Sequence, residues 1–247
     1  MQRLSSDVAG SNGSIATGDE NPMVFPAGRN ANLQHPGAIA DGLWNQAQAV
    51  FGAIARAKNE TNHPVRTVGL TSCYRQEGVS TVAAVLALAA ACQRKVLLVD
   101  ANLTHPSLDR RFRVKTTPGL LQLMDGQATP GDCIQASPLG VSVVSAGCAE
   151  GQAATFLRPD RVLSVLQTFT PDFDLVLVDL PAAGDDSSAL ELSGVLDGVV
   201  LVVESERVHW QAGQRTVSRL QQSGVRLIGA VFNKRRDYTP DWLYRVL

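Results

Sequence analysis

The sequence predicts an α/β protein built on a mostly parallel, doubly wound sheet. Three observations carry that reading: short runs rich in Val and Leu, longer helical stretches alternating with them, and several runs without polar alternation, as expected of strands buried on both faces.

Taken in order, residues 1–36 are rich in Ser, Gly, Asn and Asp and hold no periodic apolar pattern. Such a stretch cannot offset its ordering entropy and is expected to be a disordered N-terminal tail. Residues 37–62 form a helical unit: Ile39, Leu43, Ala47, Val50, Phe51 and Ile54 recur at three- and four-residue steps, predicting an amphipathic helix that ends near Lys58, before His63 and Pro64. Residues 63–247 form the body. Strands are expected at 66–70, 95–99, 141–144, 174–178, 198–203 and 226–232, and helices at 80–93, 119–124, 158–169, 188–196 and 210–223.

Composition excludes several classes of function. Against 22 Lys+Arg stand 23 Asp+Glu, a net charge of −1, without the basic surplus that a dedicated nucleic-acid binder needs. The longest apolar run, 82–92, is too short for the roughly 20 residues of a membrane span, and no apolar core follows the early charge of the N-terminus, so a cytoplasmic location is expected. Cys73, Cys92, Cys133 and Cys148 form no CxxC pair and are expected to be reduced and mostly buried. The four histidines lack ligand spacing.

The first strand runs through Cys73, Tyr74, Arg75, Gln76, Glu77, Gly78, Val79, Ser80 and Thr81 into a helix, the setting of a phosphate-binding P-loop. Backbone N–H groups and the helix N-terminus face the phosphates in such a loop, and a Ser or Thr hydroxyl ligates magnesium. Gly78, Ser80 and Thr81 fit; Cys73 stands where the opening Gly is usual, and Val79 where the Lys belongs. Two strands end in carboxylates, VLLVD at Asp100 and LVLVD at Asp179, at the edge where open α/β sheets place their ligands. The competing reading makes both aspartates helix caps or turn formers.

With these motifs in place, residues 65–235 resemble the cytoplasmic catalytic domain of bacterial tyrosine kinases of capsule and exopolysaccharide synthesis, within the MinD/ParA-like branch of P-loop NTPases. VGLTSCYRQEGVSTVAA, KVLLVDANLTHPSLDRRF, TPGLLQLMDG, FDLVLVDLPAAGDDSSAL, LDGVVLVVES and IGAVFNK stand in that family's order and spacing. The resemblance implies ATP or ADP held by Glu77, Gly78, Val79, Ser80 and Thr81, with Asn233 at the base. It implies Mg2+ held by Ser80, Asn102 and Asp179, and Asp100 and Asp179 as catalytic carboxylates. It also implies a homo-oligomer that docks on the cytoplasmic end of an inner-membrane polysaccharide chain-length regulator; the charge balance and the short apolar runs add the expectation of no nucleic-acid binding and no direct membrane insertion.

The chain departs from that family at Val79, at Asn102 where a second acid is usual, and at Thr104 where an Arg is usual. The family's C-terminal tyrosine cluster shrinks to Tyr238 and Tyr244, and Trp44, Asn45, Gln46, Ala47 and Gln48 occupy the helix that carries charged ring-assembly residues. A unit-charge contact to phosphate at about 4 Å is worth on the order of 4 kcal/mol at an effective dielectric near 20, up to about a thousandfold in binding. Loss of the Lys therefore argues for weak or absent catalysis and against tight ATP or ADP binding. Arg75, Arg235 and Arg236 either compensate or are solvated surface charges, and Asn233 is either a base contact or an ordinary strand-end turn.

Three functional readings follow. The first is a catalytically impaired tyrosine-kinase-like accessory of polysaccharide polymerisation and export. The second is an active kinase or ATPase with a variant loop that uses Arg75. The third is a MinD-like positioning or scaffold protein.

Overall fold

The computed structural model describes residues 41–59, 61–148 and 158–234. The expected tail, Arg235, Arg236, Tyr238 and Tyr244 lie outside the described residues. One seven-stranded sheet runs in the order β3-β4-β2-β5-β1-β6-β7. Its strands are β1 (Thr67–Ser72), β2 (Val96–Asp100), β3 (Gln135–Ala136), β4 (Ser142–Val144), β5 (Leu175–Asp179), β6 (Gly198–Glu204) and β7 (Leu227–Asn233). All pairings are parallel except the short β3 against β4.

The unbroken apolar runs follow from burial on both faces. In β2, Val96 and Leu98 enter the core beneath α2 (Val79–Ala91), whereas Leu97 and Val99 enter the one beneath α6 (Pro159–Phe169). In β6, Val200 and Val202 face the first of these, and Val199, Leu201 and Val203 face a third apolar cluster that includes Leu220 of α8 (Trp210–Gln222). Successive strand residues point to opposite faces, so both must be apolar.

α1 (Asp41–Arg56) packs through Trp44, Ala47, Phe51 and Ile54 into the same core as α2. The described residues of the body carry four further short helices: α3 (Leu108–Phe112), α4 (Leu120–Met124), α5 (Pro130–Cys133) and α7 (Ser187–Ser193). β3, α3 and α5 are absent from the sequence-based expectation; at two, five and four residues they are too short to show periodicity. The cysteines correct another expectation. All four are free, but only Cys73 and Cys133 are buried, Cys92 is half-buried and Cys148 exposed.

At the edge away from the strand C-termini, Asp197 clamps β1 to β6. Its carboxylate accepts from the Arg66 and Thr67 amides (2.9 Å each) and the Thr67 hydroxyl (3.1 Å), and its own N–H donates to that hydroxyl (3.0 Å). No helix among the described residues is long and apolar enough to cross a membrane.

Candidate functional site

β1 lies between β5 and β6, so the loop from Cys73 to Gly78 opens beside the ends of β2 and β5. The Thr71 hydroxyl donates to the Pro181 carbonyl (2.6 Å) and accepts from the Ala183 amide (3.1 Å), which stitches the turn after β5 to the end of β1. Gly184 lies so near the Cys73 carbonyl that a β-carbon would overlap it. The loop's left-handed residues are Gln76 (φ 67°) and Gly78 (φ 91°). Cys73 therefore stands at the usual glycine position without needing a glycine's backbone freedom.

Gly78 caps α2 without a side-chain partner for the first amides. The first turn of α2 holds no acidic residue, so its backbone donors and the positive end of the helix dipole are open to an anion. Glu77 is fully buried and does not face that opening. Its carboxylate accepts from the Tyr74 amide (2.7 Å) and the Glu204 amide (3.2 Å), binding loop to β6; burial pushes its pKa up and those amides oppose the shift. Asn233 is also buried, and its amide nitrogen donates to the Glu77 carbonyl (2.8 Å). The structure thus gives Glu77 and Asn233 side-chain roles in holding the loop; neither lines the main cleft.

Asp100 and Asp179 pair in register across β2 and β5, both fully buried. Asp100 accepts from the amides of Asn102 (3.1 Å), Ser107 (3.0 Å) and Leu108 (3.1 Å), and so caps α3. Burial raises its pKa to about 6 against those amides. Among the described residues neither carboxylate oxygen of Asp179 meets a hydrogen-bond partner in full geometry, although the Ser80 hydroxyl lies close enough to act on it. Burial and then the Asp100 charge raise its pKa to about 8, against weaker opposing effects of the Ser80 hydroxyl and the Arg111 guanidinium.

An orphaned buried carboxylate beside a loop hydroxyl suits a magnesium ion, which takes hard oxygen donors, keeps several waters and leaves positions for phosphates. Ser80 and Asp179 fit that ion. Asn102 fits less well, because its side-chain oxygen already accepts from the His105 amide (3.2 Å).

Above this floor lies an open cleft of about 1130 Å³. Gly78, Val79, Ser80, Thr81 and Asn102 line it, so five of the expected residues are brought together. The cleft also gathers cations: Arg75, Arg110, Arg111, Arg113 and Lys234. The sequence reading singled out Arg75 but neither Lys234 nor the α3 arginines. A signal was present for Arg111, which follows buried Leu108 by three residues and so shares its inward side of the helix.

A family model, ParA, described as NUBPL iron-transfer P-loop NTPase, matches residues 66–241. Tyrosine-protein kinase YwqD of Bacillus subtilis is 29% identical over 174 residues, covering 70% of this chain and 73% of YwqD. The succinoglycan biosynthesis transport protein ExoP of Rhizobium meliloti is 25% identical over 174 residues, covering 68% of this chain and 22% of ExoP. The chain spans only 19–27% of several longer relatives, among them ptk of Acinetobacter johnsonii and etk of Escherichia coli, but 85% of tyrosine-protein kinase CpsD of Streptococcus pneumoniae, at 24% identity. The crystal structure of the VpsO kinase domain superposes with a TM-score of 0.70 at 25% identity, covering 78% of this chain and 96% of that one. The relatives are thus bacterial tyrosine kinases, with ExoP named for polysaccharide biosynthesis and transport.

Proposed function

The chain belongs to the ParA family of P-loop NTPases, and from that premise we propose that it is a tyrosine-kinase-like accessory of exopolysaccharide or capsule polymerisation and export, able to hold nucleotide but impaired in phosphoryl transfer. The observation that carries this reading is a phosphate loop whose backbone cradle, Ser80 and Asp179 persist while Val79 replaces its charge.

The Gly78 turn and the first amides of α2 take the phosphates, and the Ser80 hydroxyl with Asp179 holds Mg2+. When bound, that ion neutralises charge on the phosphate oxygens. Val79 offers no ammonium to the charge that builds during transfer, so binding survives better than turnover. Asp100, committed to three amides, orders α3 on the rim of the cleft. By likeness to its relatives, the protein acts in the cytoplasm on the cytoplasmic end of an inner-membrane chain-length regulator, and its own assembly state is the output. Residues 63–247 form the nucleotide-binding unit, and the helix within 37–62 packs on it.

Calorimetric titration with ADP and ATP, with and without magnesium, tests the binding half, and autophosphorylation of Tyr238 or Tyr244 tests the impairment. Micromolar binding that weakens in Asp179→Ala, with no phosphotyrosine formed, is the expected result. Robust autophosphorylation overturns the impairment, and no binding at millimolar nucleotide overturns the nucleotide site.

A further inference from the structure

Five cations line the cleft, and four have other work or lie in solvent. Lys234 donates to the Gln76 carbonyl (2.9 Å) and pairs with Glu204 (3.4 Å). Arg110 is exposed and donates to the Pro106 carbonyl (3.1 Å). Arg75 and Arg113 are exposed, Arg75 on the loop and Arg113 at the C-cap of α3.

Arg111 differs from all of these. It is half-buried, and its Nε is held by the Ser107 hydroxyl (3.2 Å), while the Ser107 amide is bound to Asp100. The side chain is therefore anchored at its neck, and its two terminal nitrogens meet no acceptor among the described residues. It feels the charges of Asp179 and Asp100 yet closes no ion pair with either. A guanidinium oriented by a fixed neck, with its outer donors unspent, presents the planar fork that matches phosphate oxygens.

We propose that Arg111 binds the terminal phosphates of the nucleotide and supplies from α3 the positive charge that Val79 withholds from the P-loop. The proposal rests on the cleft being a nucleotide site. It would give the cleft phosphate affinity that the missing loop lysine cannot supply. It also fits impaired chemistry, since a group on α3 approaches the phosphates from outside the P-loop.

The test is calorimetric titration of the full chain with Mg-ATP and with inorganic tripolyphosphate, in wild type, Arg111→Gln and Arg111→Lys. Arg111→Gln is expected to weaken both ligands by about tenfold or more, and Arg111→Lys to recover part of the loss. Affinities within twofold of wild type in Arg111→Gln overturn the proposal while the nucleotide reading stands. If wild type binds tripolyphosphate through Arg111 but not ATP, the nucleotide reading fails and the phosphate-binding role stands. If it binds neither, both fail. A measurement on the unaltered protein guards against a variant that does not fold: Arg111 should be protected from phenylglyoxal by tripolyphosphate, read by peptide mass spectrometry. Equal labelling with and without a bound ligand overturns the proposal.

Discussion

Asp179→Asn is expected to stabilise the ligand-free protein at neutral pH and to remove its response to magnesium nucleotide. The wild-type carboxyl has no hydrogen-bond partner in full geometry among the described residues and titrates at about 8 in the folded chain against 3.8 unfolded. Its folded value lies above its unfolded one, so the associated stability is complete below about pH 4 and is lost as pH rises towards 8. Each tenfold in an ionisation constant is worth about 1.4 kcal/mol. Holding this side chain protonated at pH 7 therefore costs on the order of 2–4 kcal/mol, the lower end reflecting its coupling to Asp100. Asn is neutral at every pH and escapes that cost.

Urea unfolding followed by circular dichroism, without magnesium or nucleotide, reads the difference. With a slope of about 2 kcal/mol/M, the Asp179→Asn midpoint should rise by about 1–2 M at pH 7, by somewhat more at pH 8, and at pH 5 by no more than about a third of the pH 8 gain. Magnesium nucleotide should raise the midpoint of wild type and leave the variant unmoved. A midpoint at pH 8 equal to or below wild type, or an equal gain at both pH values, would refute the assignment of Asp179 as an uncompensated buried acid.

Three further outcomes are expected. Val79→Lys, whose stem can follow the apolar wall of α2 while its ammonium reaches the cleft, should raise ATP affinity by about 10- to 1000-fold in calorimetry; unchanged affinity would show that phosphates do not approach residue 79. Asn233→Ala leaves the Glu77 carbonyl without its donor, and should cost about 1–3 kcal/mol in chemical unfolding and weaken nucleotide binding; an unaltered protein would remove the strand-end amide from the loop's support. Gly184→Ala drives a β-carbon into the Cys73 carbonyl, so the turn after β5 or the loop must shift; a loss of at least about 2 kcal/mol is expected, and a tolerated change would contradict that close approach.

Much of the sheet was legible because β2, β5 and β6 are apolar on both faces, and such runs stand out from the amphipathic helices between them. The carboxylates at the ends of β2 and β5 were legible for the same reason: a charge closing an apolar strand is conspicuous. Their division of labour was not legible, because Asp100 and Asp179 close near-identical strands and only the backbone after β2 gives Asp100 its amides. Arg111 was hidden in a short charged run, Asp109 to Arg111, that reads as helix surface until Leu108 and Phe112 are seen to be buried. For Asn233 the sequence offered a base contact or a turn. In the fold its side chain spans from β7 to the loop, a pairing separated by 156 positions.

The two-sided apolar strands carry a hazard for folding. In a sheet with one wet face, a one-residue slip turns apolar side chains into water and is rejected at once. Here a one-residue slip of β6 along β1 would exchange one oily face of β6 for the other, and hydrophobicity alone would scarcely object. The objection comes from Asp197, whose carboxylate and amide reach Arg66 and Thr67 in the native alignment of these strands. A residue at the far end of the sheet from the cleft thereby acts as a proofreader for its assembly, since the loop after β1 meets the end of β6 only when the strands have started in step.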